Sequence, residues 1–228
     1  MSSKKILICV AHPDDETIGC GGSIAKHVKN GDKVFCISMT DGVSSRDNFK
    51  KSDVKKREIS KKKSESILGF KWVKNKMFPD NQLDTVNFLE IVKTIEKAKT
   101  KIKPTIIYTH YPDDLNIDHR IVAEATLTAF RPTKNNFERI LAFEIPSSTD
   151  YRYYKKRNFN PNYLNDISKF WIKKKRALLA YKQELKKSPN SRSLKGIETL
   201  AKFRGMQNGL KCAEAFLILK EINRWKKF

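Results

Sequence analysis

The chain has 228 residues, of which 39% are hydrophobic and 10% aromatic, and this is enough for one substantial core. We therefore expect a single domain over residues 1–228. The first apolar run, from Ile6 to Ala11, has about six residues, whereas a membrane-spanning helix needs about 20. This run excludes a membrane span at that point, and because no small-residue cleavage site follows it, we expect a cytoplasmic protein.

The net charge of +22 comes from 47 basic and 25 acidic residues, and 36 of the basic residues are lysines. Proteins that read nucleic acids favour arginine, whereas lysines spread along helices also arise from solvated faces. We expect no specific nucleic-acid partner, with a basic nucleic-acid-binding α/β module as an alternative. The charge is compatible with peripheral contact with an anionic surface, such as an acidic membrane. The four cysteines include no C-x-x-C pair, so free thiols are expected.

The start of the chain predicts a strand, a helix and a second strand. Lys4 to Ala11 and Lys33 to Thr40 are short apolar runs typical of buried parallel strands. Between them, Asp14 to Asn30 has helical spacing, and the glycine that follows ends the helix. A Lys-rich helix is predicted from Ser52 to Leu68, and a short strand from Phe70 to Val73.

The alternation of helices and strands continues through the middle of the chain. Helices are predicted at Asn87 to Ile102 and Asp118 to Phe130, and strands at Thr105 to Thr109 and Arg139 to Ile145. This order predicts an α/β fold with a Rossmann-like wound, mainly parallel sheet and helices on both faces.

The last third of the chain is more irregular. Ser147 to Pro161 is polar and aromatic, and it is a candidate loop for a lid. Asp166 to Lys187 predicts a long basic helix and Ser193 to Arg204 a shorter one. The final apolar run, Ala213 to Leu219, is compatible with either a strand or a helix.

Polar residues follow two of the predicted strands directly. In a wound α/β sheet, ligands bind beyond the carboxyl ends of the strands. The first strand is followed by His12-Pro13-Asp14-Asp15-Glu16, and a later strand by the segment from His110 to His119. Three of the four histidines therefore lie on one predicted rim, whereas His27 on the first helix is expected to be structural or exposed.

Imidazole and carboxylate ligands together suit zinc, and a catalytic zinc site needs three protein ligands and one open position. His12, Asp15 and His119 can provide that set, so we expect Zn²⁺ or another divalent transition metal as cofactor. Asp14 is then free to face the water on the metal as a general base. The alternative is that these acidic residues only cap the helix that follows them.

Two motifs resemble those of a known family, the LmbE/PIG-L zinc-dependent de-N-acetylases. They are Ala11-His12-Pro13-Asp14-Asp15-Glu16 with the glycines after it, and Asp113-x-x-Asn116-Ile117-Asp118-His119-Arg120. Further similarities, spread over nearly the whole chain, include Thr40-Asp41-Gly42, Arg57 and Pro79-Asp80. The resemblance implies an LmbE-like fold and removal of the N-acetyl group from a glucosamine-type sugar or glycoconjugate. The family's metal ligands fall on His12, Asp15 and His119, and its base falls on Asp14.

One position departs from the family pattern. Many members carry a histidine where this chain has Asn116, and that histidine is thought to stabilise the oxyanion. Either Asn116 donates a neutral hydrogen bond, or His110 takes the role as an imidazolium, and we favour His110. We expect Asp118 to orient a neighbouring imidazole, and Arg57 and Asp41 to contact sugar or phosphate. A metal-dependent amidase acting on a non-sugar acylated amine is the remaining alternative.

Overall fold

A computed structural model describes residues 3–132, 137–152 and 158–223. In chain order its helices and strands are β1 (Lys5–Val10), α1 (Asp15–Lys29), β2 (Lys33–Ser38), α2 (Lys51–Leu68), β3 (Lys71–Trp72), α3 (Phe88–Ile102), β4 (Ile106–His110), α4 (Ile117–Ala129), β5 (Arg139–Phe143), β6 (Tyr163–Asp166), α5 (Trp171–Ala180), α6 (Leu194–Met206) and β7 (Ala213–Glu221). Short 3₁₀ turns occupy Leu83–Thr85 and Thr149–Tyr151.

The described strands form one seven-stranded sheet with the order β3-β2-β1-β4-β5-β7-β6. Strands β1 to β5 are parallel, whereas β7 pairs antiparallel with both β5 and β6. The predicted α/β fold with a mainly parallel sheet is confirmed. The final apolar run, for which the sequence allowed a strand or a helix, forms the strand β7.

Apolar residues of β1 alternate between two hydrophobic clusters on opposite faces of the sheet. Ile6, Ile8 and Val10 pack with residues of α1, α5 and α6, whereas Leu7 and Cys9 pack with residues of α3 and α4. Because helices cover both faces, the central strands read as continuous apolar runs in the sequence. The four cysteines are buried free thiols, as expected.

The predicted long helix from Asp166 to Lys187 is wrong. Asp166 ends β6, and its Oδ1 accepts hydrogen bonds from the N–H of Ser168 at 2.9 Å and from the hydroxyl of Ser168 at 2.5 Å. This side chain turns the backbone, so α5 begins only at Trp171 and ends at Ala180. Of the lid candidate from Ser147 to Pro161, residues 153–157 lie outside the described residues.

Two glycines of α1 allow the helix to lie close to neighbouring side chains. A Cβ atom on Gly19 would lie 2.4 Å from Cδ2 of Phe143, and a Cβ atom on Gly22 would lie 2.6 Å from Cγ2 of Ile167. Both distances are shorter than van der Waals contact. The glycines of this helix therefore serve packing against β5 and against the segment after β6.

The order of the strands places a crevice between β1 and β4. From β1 the chain proceeds to β2 and β3 on one side, and it then crosses to β4 and β5 on the other side. Such a switch point leaves a crevice at the carboxyl ends of the two central strands, where wound sheets bind ligands. Among the described residues, none of the helices has the length and hydrophobicity to cross a bilayer.

Candidate active site

Three side chains meet in the crevice after β1 and β4. Nδ1 of His12 lies 3.2 Å from Oδ2 of Asp15 and 3.3 Å from Nε2 of His119. Nε2 of His119 lies 3.5 Å from the same Asp15 oxygen. Ligand atoms about 2.0 to 2.1 Å from a tetrahedral zinc ion lie roughly 3.4 Å apart. The spacing and the chemistry of these three donor atoms therefore fit a tetrahedral metal ion.

Two carboxylates lie on the far side of the His12 imidazole, at ion-pair distance but outside hydrogen-bond geometry. Nε2 of His12 lies 3.3 Å from Oδ2 of Asp118 and 3.4 Å from Oδ1 of Asp80. Asp118 is itself held by the backbone N–H groups of Asn81 and Leu83, which donate to its two oxygens at 2.8 Å and 3.0 Å. A carboxylate behind a ligating histidine sets the tautomer and the orientation of the ring. Asp118 thus lies where the sequence predicts an orienting residue.

The imidazole of His119 is held by a hydrogen bond with Asp114. Nδ1 of His119 lies 3.1 Å from Oδ1 of Asp114, and the hydroxyls of Ser148 and Thr149 donate to the two oxygens of that carboxylate. Burial raises the pKa of Asp114, but the charge of His119 and these hydrogen bonds lower it to about 2. Asp114 is therefore ionised, and it turns Nε2 of His119 towards Asp15.

The carboxylates make the centre of the site attractive to positive charge. Burial by itself lowers the pKa of His12, but the neighbouring carboxylates of Asp118 and Asp15 outweigh burial and raise it to about 10. For His119, the charges of Asp15 and Asp114 likewise overcome burial and raise the pKa to about 9. These shifts favour a second, charge-bearing proton on both rings when no metal is bound. A divalent cation can replace these two protons.

Asp14 lies beside this centre in a strained backbone conformation. Its φ is +125°, which non-glycine residues rarely adopt and which costs about 1 to 3 kcal/mol. The conformation is held because Oε2 of Glu16 accepts the Asp14 N–H at 2.9 Å. Oδ1 of Asp14 is buried and has no hydrogen-bond partner among the described residues. Strain of this kind is typical of functional sites.

Two arginines hold the other oxygen of Asp14. Arg192 donates to Oδ2 of Asp14 at 2.8 Å, and Nη1 of Arg57 lies 3.7 Å from the same atom. Arg57 also donates to the carbonyl oxygens of Pro13 and Gly42 and pairs with Glu184 at 2.8 Å. Burial raises the pKa of the Asp14 carboxyl, and the charges of Arg192 and Arg57 oppose that increase.

A cavity of about 240 Å³ opens onto these residues. This volume is slightly below the roughly 300 to 1,000 Å³ of pockets that hold drug-sized ligands. The cavity therefore suits a smaller group, about the size of one sugar ring. Its wall is polar and is formed mainly by charged and amide side chains, among them His12, Asp14, Arg46, Arg57, Asp80, Asn81, Asn116, His119, Glu184 and Arg192.

Residues 7–130, more than half of the chain, match the family model described as PIG-L: GlcNAc-PI de-N-acetylase. The chain belongs to the PIG-L family. A curated relative of this PIG-L protein is the diacetylchitobiose deacetylase of Thermococcus kodakarensis, which is 28% identical over 220 residues. That match covers 92% of this chain and 81% of the relative.

Solved structures share the fold of this PIG-L protein. The conserved protein TT1542 from Thermus thermophilus is 20% identical, with a TM-score of 0.76, and the match covers 99% of this chain and 100% of that one. The 4-carboxy-2-hydroxymuconate hydratase GalB from Pseudomonas putida is 17% identical, with a TM-score of 0.75 and the same coverage. Because a hydratase shares the architecture, the fold alone does not determine the reaction, which depends on the residues of the site.

The structure brings together most of the residues singled out in the sequence of this PIG-L protein. His12, Asp14, Arg57, Asn116 and His119 line the cavity, and the buried Asp15 and Asp118 lie directly behind its wall. Asp41 does not line it, because its Oδ1 accepts the backbone N–H groups of Val43 and Ser44 and so closes a turn. His27 pairs with Asp32 and Tyr108 and is structural, as expected.

His110 is placed differently from its predicted role. Its ring is fully buried and stacks on His119 with ring centroids 4.0 Å apart, and its Nε2 accepts the N–H of Ala11 at 2.9 Å. Burial, together with the charge of His119, lowers its pKa well below the usual range. A neutral, backbone-bonded ring does not fit the predicted imidazolium. Asn116, the alternative, lies in the cavity wall, and its side-chain oxygen caps α4.

Several residues of the site carried no role in the sequence analysis, among them Asp80, Asp114, Glu184 and Arg192. Asp80 and Asp114 lie within segments noted in the sequence. Asp114 comes shortly after the end of β4, which is a usable signal, whereas Asp80 follows Phe78, which forms an isolated bridge with Thr40. Glu184 and Arg192 come from the irregular segment between α5 and α6. No local pattern marks that segment as part of the site.

Proposed function

We propose that this PIG-L protein is a metal-dependent hydrolase that removes the acetyl group from an N-acetylated sugar of the glucosamine type. The observation that carries the proposal is the arrangement of His12, Asp15 and His119 around one point, with the carboxylate of Asp14 beside it. Family membership and the deacetylase relative support the reaction class. We further propose that residues 1–228 act as one catalytic domain.

His12 through Nδ1, Asp15 through a carboxylate oxygen and His119 through Nε2 would hold the metal. When bound there, zinc or another divalent transition metal would supply Lewis acidity towards the acetyl carbonyl. The chain's own contribution is orientation. Asp118 and Asp114 keep the two rings in the tautomers that leave Nδ1 and Nε2 free for the ion.

Asp14 acts as the general base in this proposal. Its Oδ1 is buried and unpartnered within the described part of the chain, whereas Arg192 and Arg57 hold its Oδ2. Asp14 takes a proton from the water that attacks the amide carbon, and the same proton passes to the nitrogen as the C–N bond breaks. The products are acetate and a free amine.

Asn116 is our candidate for the hydrogen bond to the developing oxyanion. Its Nδ2 lies in the cavity wall and donates to Oδ1 of Asn81 at 3.1 Å. The amide nitrogen carries a second N–H, which can donate to the oxyanion while the first stays with Asn81 and Oδ1 continues to cap α4. His110 would have to give up its bond to the backbone of Ala11, which is buried and therefore more costly to break.

The test is a panel of acetylated compounds with detection of released acetate and new primary amine. The panel contains N-acetylglucosamine, N,N'-diacetylchitobiose and the non-sugar amide N-acetylputrescine, each assayed before and after removal of metal by a chelator. We expect acetate from at least one sugar and its loss on chelation. Release from N-acetylputrescine alone would favour the non-sugar amidase, and release that chelation leaves unchanged would exclude the metal site.

A further inference from the structure

A second concave surface lies between α2 and α5, outside the candidate active site. We name it the α2–α5 groove, and it has a volume of about 720 Å³. The residues that matter for its chemistry are Ile59, Lys62, Lys63, Arg176, Leu179 and Lys182.

Every charged side chain that lines the α2–α5 groove is basic. Lys56 pairs with Asp53 at 3.0 Å. Within the described ranges, Lys62, Lys63, Arg176 and Lys182 have no acidic partner in an ion pair. The groove therefore presents uncompensated positive charge, and charge complementarity calls for an anionic occupant.

Large apolar side chains are exposed among these cations. Ile59 is 53% exposed and Leu179 is 46% exposed, and Ile172 on the same helix as Leu179 is 67% exposed. Ile172, Arg176 and Leu179 are four and three residues apart, so they lie on one face of α5. Two helices thus place isoleucine and leucine side chains between lysines and an arginine on one surface, which offers a bilayer both apolar insertion and attraction of charge.

We propose that the α2–α5 groove, together with Ile172, docks on an anionic phospholipid bilayer. The anionic headgroups attract lysines near the surface, and each lysine raises the binding affinity about fivefold. The exposed apolar side chains enter the boundary between headgroups and acyl chains. Sites for single-stranded nucleic acids typically contain aromatic side chains on which the bases stack. None of the residues lining the groove is aromatic, so a bilayer fits the groove better than a nucleic acid.

The groove and the catalytic cavity share α2 and the segment that follows α5. In α2, Arg57 of the cavity follows Lys56 of the groove, and after α5, Glu184 of the cavity lies two residues beyond Lys182 of the groove. Arg57 and Glu184 pair at 2.8 Å in the cavity wall. A bilayer docked on the groove would therefore lie next to the cavity. The residues proposed for docking do not belong to the catalytic machinery, so binding can be measured without deacetylation.

The experiment is co-sedimentation of the full chain with vesicles of phosphatidylcholine, either alone or mixed with phosphatidylserine. We expect binding only to the mixed vesicles. Replacing Lys62 and Lys63 with glutamine should weaken it about 25-fold. The matched control replaces the exposed Lys93 and Lys97 of α3 with glutamine, which removes the same charge from another surface. That control should retain most of the binding.

A second variant tests the apolar part at constant charge. Replacing Ile59 and Leu179 with serine should weaken binding to mixed vesicles at least fivefold, since these side chains no longer enter the lipid boundary. Unchanged thermal unfolding midpoints will confirm that the variants fold.

Four results would overturn the proposal. The first is an equal loss of vesicle binding in the Lys62/Lys63 variant and in the Lys93/Lys97 control, and the second is binding that does not depend on phosphatidylserine. The third is unaltered binding of the Ile59/Leu179 serine variant. The fourth is displacement of the vesicles by RNA that itself requires Lys62 and Lys63 for binding.

Discussion

The guanidinium of Arg192 donates a 2.8 Å hydrogen bond to Oδ2 of Asp14, although 178 residues separate them in the chain. Asp14 belongs to the loop between β1 and α1, and Arg192 to the loop before α6. The contact holds the carboxylate of the proposed base, whose other oxygen is buried and has no hydrogen-bond partner in the described part of the chain. The site therefore combines residues that follow the first strand with a residue of the loop before α6.

Replacing Arg192 with glutamine should move the acidic limb of the pH–rate profile to higher pH. Burial raises the pKa of the Asp14 carboxyl, and the positive charge of Arg192 opposes this, so its removal raises that pKa further. Because a base must be ionised, activity at pH 6 should fall more than activity at pH 8. The control is Arg46→Gln, since Arg46 lines the same cavity but pairs with Glu184. An identical profile in both variants would contradict the assignment.

The Asp14→Asn variant should retain its metal and lose most of its hydrolysis. An amide cannot accept the proton of the attacking water, and general bases contribute about 10²- to 10⁴-fold. The measurements are acetate release and metal content by elemental analysis. His12→Ala, which removes a proposed ligand, should lose both metal and activity. Undiminished turnover by Asp14→Asn would exclude Asp14 as the base.

Zinc affinity of the metal-free protein should rise steeply with pH. The pKa values of about 10 for His12 and about 9 for His119 mean that both rings are protonated below pH 9, so metal binding must displace two protons. The dissociation constant should fall about 100-fold for each unit of increase in pH. Competition with a zinc chelator at pH 7 and pH 8 measures this. In His119→Ala the dependence should drop to about tenfold per unit, and an affinity independent of pH would be inconsistent with this site.

Asp118 should contribute to metal affinity although it is not among the proposed ligands. Its Oδ2 lies 3.3 Å from Nε2 of His12, and loss of such an orienting carboxylate typically weakens metal binding about 10- to 100-fold. We expect this loss for Asp118→Asn in the same chelator competition. The exposed Asp84 in the neighbouring 3₁₀ turn provides the control, and Asp84→Asn should bind metal like the native protein. Equal affinities in the two variants would show that Asp118 does not orient His12.

Replacing Gly22 with alanine should destabilise the fold. The new Cβ would lie 2.6 Å from Cγ2 of Ile167, and overpacking of this kind costs about 1 to 3 kcal/mol. Gly21→Ala is the matched control in the same helix, since its Cβ would meet the Cγ atom of Lys174 at 3.3 Å. Alanine is also favoured over glycine in a helix by up to about 1 kcal/mol. Urea unfolding should show a clear loss for Gly22→Ala alone, and equal stabilities would refute this packing argument.

The sequence by itself determined the alternation of strands and helices up to β5, and with it the rim on which His12 and His119 lie. Apolar periodicity decides these elements locally, and parallel strands bring their carboxyl ends to one edge. The long helix predicted after Asp166 failed because a single side chain, bonded to Ser168, turns the backbone there.

Only the tertiary structure decided which atoms face one another. Asp114 and Asp118 lie beside one ring nitrogen of each ligand histidine and leave the other towards the metal site. The backbone N–H of Ala11 donates to His110, which does not fit its predicted role, and Arg192 contacts Asp14 from a distant loop. Hydrogen bonds between loops depend on how the elements pack, and loops carry no periodic pattern from which that packing could be read.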